Sequence, residues 1–138
     1  MAANRNDIRE IILSARKAAT AHADNIKNAN PLTKELCEEE VFGYLKAKFH
    51  LKDEDCTTTD FAELTEISLA KSMEISPALV EEFDLARSCD GTSSKTAKMV
   101  LFFMSLQKEF NIEFEPMETV MAKTVYDIGD LVYKELTK

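Results

Sequence analysis

The side chains able to do chemistry are few and scattered. Cys37, Cys56 and Cys89 are odd in number and form no CxxC or CxxH pair, so neither a disulfide framework nor a zinc site is expected. Three buried or half-buried thiols in a reducing compartment is the simpler expectation. His22 and His50 fall near separate helix ends, and nothing in the spacing gives either a nucleophile. Cys37 with His50 is the one pairing left open, with a core thiol as its plainer reading. Asp53-Glu54-Asp55 starts like a calcium loop, but Thr58 and Leu64 stand where that loop needs a glycine and a glutamate. The glycines at 43, 91 and 129 are isolated, which leaves no phosphate-binding loop. The six methionines sit mostly at core spacing and read as filler. These residues do not assemble an enzyme.

Composition narrows the class further. The chain has 138 residues, 45% of them apolar and 30% charged, as expected for one globular domain. Only three glycines and three prolines argue against a turn-rich β sandwich. Twenty-five acidic against 17 basic residues give a net charge of −8, which phosphate backbones repel. A protein partner with a basic face is expected in place of nucleic acid. The N-terminus lacks an apolar signal segment, and the longest apolar run, Met99 to Met104, is too short to span a bilayer. A cytoplasmic protein without membrane association is the expectation.

Helical periodicity dominates the elements that must position any site. Asn6 or Asp7 can cap a first helix with Ile8, Ile11, Ile12, Ala15 and Ala19 on one face, ending near Lys27 before Asn28-Ala-Asn-Pro31. Thr33 opens a second helix striped by Cys37, Val41, Tyr44, Leu45 and Phe49. After a polar loop come helical segments at about 60–72 and 77–87, the latter opened by Ser76-Pro77. Ser93 and Ser94 end a second loop and can cap a helix from Lys95 to Phe110. Val100, Phe103, Gln107 and Phe110 line one face of it. Met99, Phe102 and Leu106 widen that face until the middle is apolar nearly all round, the mark of a central helix. A short helix near 117–122 follows. Thr124-Val-Tyr-Asp127 then opens a last helix that buries Val125, Ile128, Leu131, Val132 and Leu136. A weak 27-residue repeat relates Met73, Ile75, Leu79 and Phe83 to Val100, Phe102, Leu106 and Phe110, as two amphipathic helices of like design would. The fold class is all-α.

The stretch Ser105-Leu-Gln-Lys-Glu-Phe-Asn-Ile-Glu-Phe-Glu-Pro116, followed by Lys123-Thr-Val-Tyr-Asp-Ile-Gly-Asp-Leu-Val132, resembles the second half of an acyl or peptidyl carrier protein. In that family a Leu-x-x-x-Phe helix end leads through a short loop and helix to a Thr-Val helix, and the spacing from Phe110 to Val125 matches. Residues 38–49 and 51–64 resemble the family's first helix and long loop. The resemblance implies one domain over 1–138: an acyl-carrier-like four-helix bundle from 33–64 and 93–138, with an added N-terminal helix at 5–27 and a helical insertion at 65–92.

What the resemblance implies about function is a tether, not a catalyst. In the family, an Asp-Ser-Leu serine carries a 4′-phosphopantetheine arm that holds an acyl or aminoacyl group for partner enzymes. That motif is not intact here. Counting back fourteen residues from Phe110 lands on Thr96, and the nearest serines are Ser93 and Ser94. Ser94 is the expected attachment site. A second register, running Phe61 to Asp84, offers Ser68 in a Ser-Leu pair instead, but places Pro77 mid-helix. The implied partners are a phosphopantetheinyl transferase and acyl-transferring or biosynthetic enzymes. Glu63, Glu66, Glu74, Glu81, Glu82 and Asp84 offer them an acidic docking face. A carrier-like fold that has lost the arm and serves as an interaction module is the alternative, and an unrelated protein-binding helical bundle is a third.

Overall fold

A computed structural model describes residues 5–73 and 93–138. Six helices are present among them: α1 (Arg5–Lys27), α2 (Lys34–Lys48), α3 (Phe61–Met73), α4 (Ser94–Phe110), α5 (Pro116–Met121) and α6 (Val125–Leu136). A single 3-10 turn, Asp53–Asp55, lies between α2 and α3. The described residues form no strand, and the all-α expectation holds. The helix expected at 77–87, Cys89, the first copy of the repeat beyond Met73, and the acids Glu74, Glu81, Glu82 and Asp84 lie outside the described residues.

The second helix forms where its periodicity placed it. The Thr33 hydroxyl accepts from the Leu36 N–H, satisfying one of the free amides of the first turn. Cys37, Val41, Tyr44, Leu45 and Phe49 are all buried. α1 runs antiparallel to α2, with the His22 Nδ1 2.7 Å from a Glu40 carboxylate oxygen and Asn25 donating to the same oxygen at 3.1 Å. α6 lies along the other side of α2, where Gly129 approaches the backbone of Cys37 and Glu38. Its start is the capping box expected from Thr124 and Asp127. The Asp127 carboxylate accepts from the Thr124 and Lys123 amides, which holds its pKa below the ordinary value.

The core is an aromatic cluster. Phe102 packs against Tyr44, Phe49, Phe61 and Phe103 with ring centroids 5.4–6.5 Å apart. Phe114 closes on Phe103 at 5.8 Å. A short antiparallel bridge ties the starts of α3 and α6 together: Phe61 N–H donates to Lys123 O, and Val125 N–H to Thr59 O, both at 2.9 Å. Two helix N-termini thereby satisfy each other's exposed amides.

Three expectations are corrected. The middle of α4 is not enclosed: Phe102, Leu106 and Phe110 are buried, whereas Leu101 is 62% exposed and Val100 and Met104 also face out. The methionines are not all filler, since Met104, Met117 and Met121 are exposed. Among its described side chains, α1 docks through its second half, by Ala19, Ala23 and Ile26; Ile11, Ile12 and Leu13 are exposed on a portion that runs past its α2 partner, and the side chain of Ile8 lies outside those described. The physical reason is common to all three. Apolar periodicity says which face a helix would bury, but not whether a partner element reaches it.

The end of α2 is held by α3. Ser68, 1% exposed, donates its hydroxyl proton to the Phe49 carbonyl at 2.7 Å, and Lys71 reaches the His50 carbonyl at 3.2 Å. Ser68→Ala leaves the buried Phe49 carbonyl without that donor, so a loss of about 1–3 kcal/mol is expected in chemical denaturation. A loss below about 0.5 kcal/mol would show that another group takes the role.

Candidate functional site

The two serines proposed as caps divide the work. Ser93 has extended backbone (φ −79°, ψ 157°), and its hydroxyl accepts from the Thr96 N–H at 3.0 Å. Ser93 is therefore the N-cap, and Ser94 is the first helical residue of α4, exposed to solvent. Its hydroxyl enters no hydrogen bond among the described residues. The first turn of α4 contains no acid. Helix amides, the dipole and the adjacent Lys95 give this end a positive character, although Lys95 is also paired to Glu66 at 2.8 Å. A phosphodiester on Ser94 suits that environment, so the residues present fit a phosphopantetheine arm.

Beside α4 runs an apolar groove of about 290 Å³ between α4, α5 and the start of α3. Phe61, Ala62, Met99, Val100, Phe103 and Val120 line it, with Thr96 at the Ser94 end of α4. At about 100° per residue, Ser94 sits roughly 200° around the helix from Thr96. The Ser94 hydroxyl and the groove thus share one end of α4 but lie on different sides of it. Thr96, reached by counting back from Phe110, is exposed and on the groove side.

The alternative attachment residue, Ser68, is buried in α3 with its proton committed to Phe49. A transferase could reach it only after α3 opened. The expected boundary between carrier core and insertion at 64/65 falls inside α3, whose Thr65, Ser68 and Ala70 are as buried as Phe61 and Leu64. Of the expected acidic docking face, Glu63 is exposed and Glu66 is tied to Lys95.

The remaining chemical candidates are occupied by structure. Burial, then the charges of Asp130 and Glu38, push the Cys37 thiol up to about 11, so it is protonated at neutral pH. His50 is exposed on a left-handed backbone (φ 55°). In the acidic loop, Asp53 pairs with Lys46 at 2.8 Å and Asp55 with Lys71 at 2.6 Å. Among the described residues no three His, Cys, Asp or Glu side chains are grouped to hold a metal ion, and no helix is long and apolar enough to cross a membrane.

One carboxyl pair escaped sequence reading. Glu38 and Asp130 approach each other where α2 crosses α6, and the interaction with the Asp130 carboxylate, followed by burial, raises the Glu38 pKa. Asp130 Oδ1 is buried and has no hydrogen-bond partner among the described residues. Lys34, 3.7 Å from Asp130, partly offsets the repulsion. Because the folded state holds the Glu38 proton more tightly, Glu38 stabilises at low pH and loses that contribution as pH rises through its folded value. Asp53, Asp55 and Asp127 are shifted down and act oppositely: their contribution is lost as pH falls below about 4. The Glu38 contribution to melting temperature is expected to grow as pH falls from neutral toward the ordinary carboxylate range, and the Asp53, Asp55 and Asp127 contributions to be lost below about pH 4. Glu38→Gln should raise the melting temperature at pH 7, where the carboxylate is charged, and by less as the pH falls, the gain staying below about 1 kcal/mol because the pair is partly solvated. Thermal melts over a pH series test this; an unchanged pH 7 value removes the pair from the account.

Compared with known proteins, the chain matches no family model, no curated protein and no solved structure.

Proposed function

We propose that this protein is an acyl-carrier-like tether whose Ser94 takes a 4′-phosphopantetheine arm and presents an acyl or aminoacyl group to partner enzymes. The observation that carries the reading is the exposed Ser94 hydroxyl, left free by the Ser93 cap at an acid-free helix start. The order of helices around it, α2, α4, the short α5 and α6, supports the same reading, because it is the order that the sequence resemblance implies. The bound arm would supply a thiol for thioester chemistry. The chain would fix the arm's base, shield apolar cargo beside Phe103 and Met99, and raise the cargo's effective concentration at each partner. Partners would be enzymes with basic faces, drawn by the net charge of −8.

The test is intact mass after co-expression with a promiscuous phosphopantetheinyl transferase. One arm should be gained by the native chain and by Ser68→Ala, and none by Ser94→Ala. A folded, helical native chain that gains nothing from several transferases overturns the carrier reading. A specific observation favours one alternative, a carrier-like interaction module without the arm: Thr96 stands at the counted attachment position and on the groove side, while Ser94 faces elsewhere. The module reading expects no mass gain and a groove filled by an apolar partner segment.

A further inference from the structure

On the side of α4 away from the groove, a cleft of about 360 Å³ opens between α1, α2 and α4. Arg16, Lys48 and Lys108 reach it, one from each of the three helices. In a chain with eight more acids than bases, three cations converging on one cleft should have drawn carboxylates. They have not: among the described residues none of the three takes part in an ion pair. The one acid in the cleft is Glu109, and Lys27 stands 3.8 Å from it. Like charges gathered around one cleft repel, and a bound anion relieves them.

The floor of the cleft is rigid and its hydroxyls are spent. The Tyr44 hydroxyl donates to Ser105 Oγ at 3.1 Å, and Ser105 donates to the Phe102 carbonyl at 2.9 Å. Lys48 lies over the Tyr44 ring at 5.5 Å, which leaves its ammonium at the edge of the cleft. Donors left for a ligand are the Arg16 guanidinium, the two ammonium groups and the exposed Thr20 hydroxyl. A guanidinium offers a planar fork to phosphate oxygens and the ammoniums add point charge, a donor set suited to a multiply charged oxyanion. The volume falls at the small end of organic-ligand pockets.

We propose that this cleft binds a small phosphate-bearing molecule, with Arg16, Lys48 and Lys108 on the phosphate. Neither Ser94 nor the apolar groove takes part, so this site stands or falls separately from the carrier reading. The cleft exists because α1 packs on α2, which gives the added helix a role in binding.

Amide chemical shifts of the full chain, titrated separately with inorganic pyrophosphate, adenosine 5′-diphosphate and hexaglutamate, test the proposal. Saturable shifts at Thr20, Lys48, Ser105 and Lys108 are expected with one or both phosphates, weakening as salt rises. Binding should weaken about tenfold or more in the double variant Arg16→Gln, Lys108→Gln, the equivalent of about 1.4 kcal/mol. Both positions are exposed, so the fold should be kept, and Lys123→Gln on the other side of α4 should bind as the native chain does. No saturable shift with either phosphate, binding unchanged in the double variant, or tighter binding of hexaglutamate than of both phosphates would each overturn it.

Discussion

Gly129→Ala is expected to destabilise the fold by about 2–4 kcal/mol, a large part of the 5–15 kcal/mol that holds a typical domain together. In an ordinary helix interior the same change stabilises by up to about 1 kcal/mol, because alanine is the better helix former. Here the sign reverses. A Cβ on Gly129 would stand 2.6 Å from Glu38 Cα and 3.1 Å from the Cys37 carbonyl oxygen. Both are backbone atoms of α2, which cannot turn aside. Relief requires α6 to move away from α2, and that loosens Val125, Ile128 and Val132, all fully buried. Gly43 provides the contrast. The three atoms nearest its added Cβ all belong to the His22 ring, a side chain 37% exposed that can swing into solvent. Chemical denaturation should therefore show a much smaller loss for Gly43→Ala. Equal losses at the two glycines would mean that the α2–α6 approach is not the tight contact.

Phe102→Ala should cost about 3–5 kcal/mol, the usual range for emptying a buried aromatic position. Phe102 is 3% exposed and its ring touches four other aromatic rings from α2, α3 and α4 and the end of α2. No other element can move in to fill the space without abandoning those contacts. Its neighbour Leu101 is 62% exposed, and Leu101→Ala should change stability by less than about 0.5 kcal/mol. The pair of measurements distinguishes a one-sided α4 from one enclosed all round. Similar losses at both positions would show that something covers the outer face.

That contrast marks the limit of what the sequence made legible. Residues with a strict helical period and a cap residue at the right offset, such as Thr33 with Cys37, Val41 and Leu45, or Thr124 with Val125 and Ile128, were placed from pattern alone. α4 was located correctly, but its apolar residues exceed one face, and only the positions of α2, α3 and α5 decide which of them are covered. The same holds for Ile11, Ile12 and Leu13 on α1. Ser93 and Ser94 are chemically identical neighbours, and one backbone dihedral decides which caps the helix and which is left free. Ser68 read as a candidate beside a leucine; its burial comes from the long-range contact with Phe49. Glu38 with Asp130, and Arg16 with Lys48 and Lys108, are brought together by helix packing and leave no local sequence signal.

The most direct test of the tether is where an arm attaches. Trypsin cuts this chain so that Ser94, Thr96 and Ser68 fall in different peptides, residues 88–95, 96–98 and 53–71. After exposure to a phosphopantetheinyl transferase and coenzyme A, tandem mass spectrometry of the digest should find one arm, on the 88–95 peptide, with fragment ions placing it on Ser94. An arm on 53–71 or 96–98, or none on any peptide of a folded chain, would contradict the assignment of Ser94 as the tether.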